Sequence, residues 1–198
     1  MFPRQPAFSE PGVSLSPAQK TCFSVNLRSM LLRQAHPEDL PALIALERLP
    51  ESSRFVGQWS EERHQATLLS SDACYYVSDA ESPIADSRNP SPLRAFVILR
   101  GLAETSGSIE LKRLVVDPPG QGLGRQVLIE LLAIAFGQFH AHRLFLDVFD
   151  DNPRAIHLYR SLGFVEEGLM REAAFSSGSY RSLRLLSMLD REYATRHF

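Results

Sequence analysis

The sequence predicts one mixed α/β domain with a single central sheet flanked by helices, and two observations carry that prediction. The chain has 198 residues, 44% of them hydrophobic, which is enough to bury one real core and by length favours one domain over two. Strand-like and helix-like segments alternate in the order strand, helix, helix, strands, helix, strand, helix and a closing pair of strands, with no internal repeat.

The elements follow from local chemistry. Residues 1–26 carry Pro3, Pro6, Pro11 and Pro17 among Ser and Gln without the apolar stretch of a secretory signal, and read as a loose tail. Met30 to Gln34 is a short strand. Pro37, Glu38 and Asp39 form a helix start leading into Leu40, Leu43, Ile44 and Glu47. Ser60 serves as the N-cap of a second helix, with Glu61 and Glu62 in the first turn, where the helix dipole favours them. Between these helices, Pro50 to Trp59 looks exposed. Cys74 to Ser78 and Leu93 to Arg100 are strands, separated by a polar stretch with Pro83, Pro90 and Pro92. Ile109 to Val116 is another strand, and Leu123, Val127, Leu128, Leu131, Leu132 and Ala135 recur at helical spacing after it. Arg143 to Phe149 returns to strand. Asn152 and Pro153 make an N-cap and first-turn pair, and Gly163 stops that helix. Phe164 to Met170 and Tyr180 to Leu189 form a final hairpin, and residues 192–198 a short tail.

Composition excludes several classes. A formal charge of −2 with 22% charged residues provides no basic field for nucleic acid. The two cysteines, Cys22 and Cys74, lack metal-ligand or redox spacing, and no apolar run reaches a membrane span. The expectation is a cytoplasmic, reduced protein without a membrane partner. His140 and His142 have strand spacing, but no Cys or carboxylate joins them as a metal set, so no metal is expected.

The chemistry concentrates in Pro118-Pro119-Gly120-Gln121-Gly122-Leu123-Gly124. A strand ending at Val116 that turns through this loop into a helix leaves the helix's first N–H groups unpaired and pointing outward, an anion site. The three glycines remove side chains that would hold a diphosphate away, and Arg125 adds charge. A nucleotide P-loop would need Lys and then Ser or Thr where Arg125 and Gln126 stand. A dinucleotide fold gains from Asp147 at the end of the next strand, but lacks its third glycine. A coenzyme A diphosphate site and a plain tight turn both remain open on this loop alone.

A second segment, Asn152-Pro153-Arg154-Ala155-Ile156-His157-Leu158-Tyr159-Arg160-Ser161-Leu162-Gly163-Phe164, starts 28 residues after Gly124. A Val-x-Pro followed by Gly-x-Gly-x-Gly-Arg, then Asn with Ala-x-x-Leu-Tyr-x-x-x-Gly-Phe, resembles the GNAT superfamily of N-acetyltransferases over residues 27–191. Pro119 departs from it, standing where the family usually has Gln or Arg. The resemblance implies a central mixed, mostly antiparallel sheet and acetyl transfer from acetyl-coenzyme A to a primary amine. It implies that Leu114, Val115 and Val116 offer backbone groups to the pantetheine arm and acetyl carbonyl. Gly120, Gln121, Gly122, Leu123, Gly124 and Arg125 would then hold the diphosphate, and Asn152 would bond the pantetheine.

By the same resemblance Tyr159 protonates the leaving thiolate. A thiol pKa near 8.5 against about 10 for tyrosine makes that transfer uphill by only about 2 kcal/mol. Without the motif, Tyr159 packs on the apolar helix face beside Ala155 and Leu162. Asp147 stands where the ribosomal-protein alanine N-acetyltransferases of the superfamily carry a catalytic glutamate, and is favoured as the base. Glu110 is its rival, since strand alternation puts it on the face of Lys112, Leu114 and Val116. Trp59-Ser60-Glu61 resembles the same alanine acetyltransferases and points to a protein or peptide α-amine. A polyamine, amino acid or antibiotic amine, or an acyl-coenzyme A sensor without catalysis, are the alternatives. Arg54, Phe55, Gln58 and Trp59 would recognise the acceptor, with Gly178 and Tyr180 opposite, and the exposed-looking segment near Trp59 is compatible with a homodimer.

Overall fold

The computed structural model describes residues 31–80, 92–176, 178–196 and 198. The expected N-terminal tail and the stretch containing Pro83 and Pro90 lie outside the described residues.

The described elements run in the predicted order: β1 (Arg33–Gln34), a 3-10 turn at Pro37–Asp39, α1 (Leu40–Glu47), α2 (Pro50–Ser53), α3 (Glu61–Leu68), β2 (Ala73–Asp79), β3 (Leu93–Arg100), β4 (Ser108–Val116), α4 (Leu123–Ala133), β5 (Arg143–Phe149), α5 (Pro153–Leu162), β6 (Val165–Ser176), β7 (Ser179–Leu189) and α6 (Asp190–Ala194). The N-caps behave as the sequence requires. Ser60 Oγ accepts from the Arg63 N–H at 3.3 Å, and Asn152 Oδ1 from the Ala155 N–H at 3.2 Å. Gly163 ends α5 at φ 96, a conformation that glycine alone enters without strain. Four elements differ from expectation. The first strand is only two residues long, α2 folds within the Pro50 to Trp59 segment, β6 extends to Ser176, and α6 forms at Asp190–Ala194, running into the expected tail.

The described strands form one seven-stranded sheet in the order β1-β2-β3-β4-β5-β7-β6. Every neighbouring pair is antiparallel except β4 and β5, which are parallel. Both faces of the sheet are covered, which is why Cys74 to Ser78 and Ala95 to Leu99 are buried without polar alternation. On one face Ala95, Val97 and Leu99 pack with Val127, Leu128, Leu131 and Leu132 of α4 and with Ile156 and Leu162 of α5. On the other, Tyr75, Val77, Phe96 and Ile98 pack with Leu43 and Leu46 of α1 and with Trp59.

Two features of β4 create the site. Opposite Ile98 and Leu99 of β3 stand Arg113 and Leu111, so Lys112 is an extra residue, a β-bulge. Ile109 and Leu111 before it share the α4-side core with Leu114 and Val116 after it, while Val115 joins the α1 side. Glu110 therefore does not share a face with Leu114 and Val116, because the bulge shifts the alternation that placed it there. The second feature is a split. β4 and β5 pair only from Ser108 to Glu110 against Arg143 to Phe145, and beyond that both strands continue without pairing.

The α1 side holds a buried polar cluster. Glu47, His64 and Arg113 are all almost wholly enclosed. Glu47 forms an ion pair with Arg113 and accepts from His64 Nε2 at 3.1 Å and from the Trp59 N–H at 3.2 Å. The Tyr75 hydroxyl lies 3.2 Å from His64 Nδ1, so the network assigns a neutral imidazole that donates to Glu47 and accepts from Tyr75. Burial, with Arg63 and Arg48 nearby, lowers the His64 pKa, and Arg113 already neutralises the Glu47 charge that would raise it.

This cluster sets an acid limit. A histidine whose folded pKa lies below its unfolded value of about 6.5 gives its full stability above that pH and loses it as pH falls toward the folded value. The melting temperature is expected to drop between pH 7.5 and 5.5, and more shallowly in His64→Phe. Equal slopes in both proteins would place the acid sensitivity elsewhere.

Candidate active site

The split between β4 and β5 opens into a cavity of about 660 Å³. Its β4 wall runs from Leu111 to Val116, and its β5 wall is Asp147, Val148 and Phe149. Main-chain groups on the facing edges of the two strands make no ladder bonds to each other past Glu110 and Phe145, so they are free to bond a ligand lying in the split.

At one end of the cavity stand Pro119, Gly120, Gly122, Gly124 and Arg125. Gly120 and Gly122 have φ of 87 and 82, and a Cβ on either would meet nothing within 4 Å. These two glycines therefore shape the loop and leave its outer side open. Gly124 does something else: its Cβ would lie 3.5 Å from Leu158 and 3.7 Å from Val116, so its small size serves the approach of α4 to α5 and β4. The first described bond into α4 runs from the Arg125 N–H to Gly122 O at 3.0 Å, which leaves the Leu123 and Gly124 N–H groups at the free, positive end of the helix. The Leu123 side chain is buried in the core, and Gln121 points away, its Oε1 accepting from Arg94 at 3.3 Å. Arg125 donates to Ser161 Oγ at 3.0 Å, which fixes its guanidinium beside the loop.

Along the middle, α5 supplies Asn152, Ala155, Leu158 and Tyr159. The Asn152 side-chain oxygen accepts the cap bond, which leaves its amide N–H groups as the remaining donors of a cavity-lining residue. Tyr159 is buried against Phe164, with ring centroids 5.7 Å apart. Burial first, then the charge of Asp147, holds its phenol above the usual tyrosine range. Tyr159 is thus a neutral donor at any physiological pH.

The rest of the lining includes Glu51, Phe55, Trp59, Lys112, Arg113 and Asp147, with Phe149 of β5 and Ala174 and Leu183 of the hairpin. Lys112 Nζ bonds Glu110 at 2.9 Å and lies 3.9 Å from an Asp147 oxygen. Asp147 and Tyr159 line the same cavity, whereas Glu110 does not line it. Of the expected acceptor residues, Phe55 and Trp59 reach the cavity; Arg54, Gln58 and Tyr180 do not. Tyr180 is 68% exposed and meets Phe175 edge to face at the hairpin tip, because its neighbour Arg181 takes the inward position. Trp59 is not exposed either: at 7% exposure it is covered by Arg113 and Arg63, whose guanidinium carbons lie 4.2 and 4.1 Å from its ring centroid. The apolar surface that suggested a homodimer is therefore inside the chain's own fold.

Sequence reasoning missed Glu51, Lys112, Arg113 and Phe149. For Arg113 a signal existed, a charge in the inward series Ile109, Leu111, Arg113, Val115. For Glu51 there was none, since it depends on where α2 folds. Among the described residues no group of three or more His, Cys, Asp or Glu could hold a metal ion, and no helix is long and apolar enough to cross a membrane.

A split sheet with a glycine cradle at a helix N-terminus, an apolar channel and a buried tyrosine beside a carboxylate is the site of an acyltransferase that draws its acyl group from a diphosphate-bearing thioester. The profile of the acetyltransferase (GNAT) family matches residues 40–164, more than half the chain, and the chain belongs to that family. It is an N-acetyltransferase with acetyl-coenzyme A as cosubstrate. The spermidine N(1)-acetyltransferase of Escherichia coli (strain K12) is 28% identical over 182 residues, 85% of this chain and 90% of that protein. The enzyme of that name from Vibrio cholerae is 34% identical over 86 residues, 42% of this chain and half of the relative. N-alpha-acetyltransferase RimI of Mycobacterium tuberculosis is 42% identical over 72 residues, but only 35% of this chain and 43% of the relative. The kinship with ribosomal-protein acetyltransferases is thus partial. The crystal structure of spermidine N-acetyltransferase from Vibrio cholerae in complex with CoA and spermine has the same fold, with a TM-score of 0.70 at 24% identity over 83% of this chain and 97% of that one.

Proposed function

We propose that the enzyme acetylates a small polyamine-type primary amine rather than a protein N-terminus. The observation that carries this is that two carboxylates, Glu51 and Asp147, line the cavity: one for the reacting amine, one for a second ammonium. The similarity to spermidine acetyltransferases along 85% of the chain supports it. A peptide α-amine, the first expectation from the sequence, has in its favour the 42% identity to RimI over 72 residues.

In this reading Asp147 takes the proton that the acceptor ammonium must lose before it can attack, since an alkylammonium near pKa 10 carries no free lone pair. Asp147 is preferred to Glu110 because it shares the cavity with Tyr159 and Lys112 holds it less closely, at 3.9 Å against 2.9 Å for Glu110. The amine nitrogen bonds to the acetyl carbon as the carbon–sulfur bond breaks, Tyr159 gives its proton to the departing sulfur, and the second proton shed by the new amide nitrogen restores the Tyr159 hydroxyl. Burial makes full ionisation of Tyr159 costly, but it raises the cost of a bare thiolate in the same place, so the donor and acceptor move together. Backbone N–H groups of Leu114 to Val116 polarise the carbonyl, the N–H groups of the Gly120 to Gly124 loop with Arg125 hold the diphosphate, and Asn152 bonds the pantetheine.

The test is a comparison of kcat/KM at saturating acetyl-coenzyme A for spermidine, spermine, a simple monoamine and an alanine-terminated peptide. A polyamine is expected to exceed both the monoamine and the peptide by at least about tenfold, the value of one well-placed ion pair of about 1.4 kcal/mol. A peptide preferred over spermidine would overturn the polyamine reading.

A further inference from the structure

Arg181, near the hairpin tip, turns its side chain inward. It stands two residues along β7 from Ser179, next to the exposed Tyr180, yet its own side chain is only 13% exposed. Its guanidinium carbon lies 3.6 Å from the centroid of the Phe149 ring and 5.6 Å from that of Phe55. Nη1 donates to the main-chain oxygen of Arg54 at 2.7 Å, and Nη2 forms an ion pair with Asp151. Arg54 approaches the same carboxylate at 3.9 Å and lies 5.0 Å from the centroid of the Phe55 ring. One side chain thus ties together three segments: the turn after α2, the end of β5 with the turn into α5, and the hairpin.

Phe55 and Phe149 line the cavity, and Arg181 does not. They come from different walls, one from the α2 segment and one from β5. A planar guanidinium stacked on one ring, near the other and anchored at both ends by hydrogen bonding has little freedom to let either ring swing. We infer that Arg181 is a positioning residue that holds Phe55 and Phe149 as two fixed jaws around the acceptor, and so restricts the enzyme to slender, unbranched alkylamines. The chemistry of the jaws fits that ligand: two aromatic rings favour methylene groups and a neighbouring ammonium, and a width that cannot relax excludes branching next to the chain. Lysine in place of Arg181 keeps a charge for Asp151 but loses the flat face and the second donor direction, so it cannot brace both rings.

This inference rests on the acceptor lying at the Phe55 and Phe149 end of the cavity, as the proposed function has it. The experiment measures Arg181→Ala and Arg181→Lys against the parent enzyme, using the best linear amine from the acceptor panel and its analogue branched beside the amine. Arg181→Ala is expected to raise KM for the linear amine severalfold, to leave kcat and the KM for acetyl-coenzyme A nearly unchanged, and to reduce the linear-to-branched ratio of kcat/KM at least fivefold. Arg181→Lys is expected to behave like alanine in that ratio. Phe55→Leu, which removes one jaw and leaves the arginine network standing, is expected to lower the ratio too, and gives the readout if Arg181→Ala fails to fold. An unchanged ratio in the folded variants would overturn the inference. A parent enzyme that prefers the peptide would overturn the polyamine reading instead, so the two failures are distinct.

Discussion

Tyr159→Phe is expected to lower kcat by roughly 100-fold, the lower end of what a positioned general acid contributes, while acetyl-coenzyme A affinity stays nearly unchanged. The reason is the pairing of burial with chemistry. Phe fills the same space beside Phe164 and Leu162, so packing is kept and only the hydroxyl is lost. Without a donor the sulfur must leave as an unprotonated thiolate inside a largely apolar channel, where a bare charge is costly. An interaction made only as the carbon–sulfur bond breaks should appear in kcat and kcat/KM together. Single-turnover acetyl transfer and direct titration of the cosubstrate separate the two effects. Full turnover in Tyr159→Phe across pH 6 to 9 would remove the acid role and leave Tyr159 a packing residue.

Gly122→Asp is expected to abolish measurable acetyl-coenzyme A binding. Two costs combine at this position. Gly122 sits at φ 82, where a side-chain-bearing residue costs about 1 to 3 kcal/mol. Its Cβ direction is open and the residue lines the cavity, so the new carboxylate would share that space with a diphosphate held by the loop. At about 4 Å and an effective dielectric near 20, each like-charge pair costs about 4 kcal/mol. Together these exceed the roughly 4 kcal/mol that separates micromolar from millimolar affinity. Gly122→Ala divides them, since it carries the backbone cost alone and meets no neighbour; a loss of about five- to tenfold is expected there. Calorimetric titration reads both variants. If Asp and Ala weakened binding equally, the loop would be a turn without a phosphate.

Much of this site was legible in the sequence because its parts are local. A glycine loop between strand and helix, an Asn-Pro helix start and a Ser N-cap each depend on a few adjacent residues, and all stand where expected. What the sequence did not disclose depends on contacts far along the chain. Glu47 has an apolar helix position only because Arg113 and His64, 66 and 17 residues away, meet it there. Trp59 looked exposed because its cover comes from Arg113. Tyr180 was expected on the inward face, but Arg181 stands there instead, paired with Ala174 across the hairpin. Gly124, grouped with the other glycines of the loop, turned out to face its own protein.

The single inserted residue at Lys112 has an effect larger than its size. A strand is a two-state counter in which every residue's direction is set by parity, and one extra residue inverts the count for all that follow. Were the bulge straightened so that Lys112 stood opposite Ile98, Arg113 would turn toward the α4 core and Leu114 and Val116 toward Glu47, exchanging a charged wall for an apolar one throughout the far half of the strand. The two halves of β4 are therefore out of phase with each other, and residues 113 to 116 hold their orientations in the cleft through one irregular backbone position.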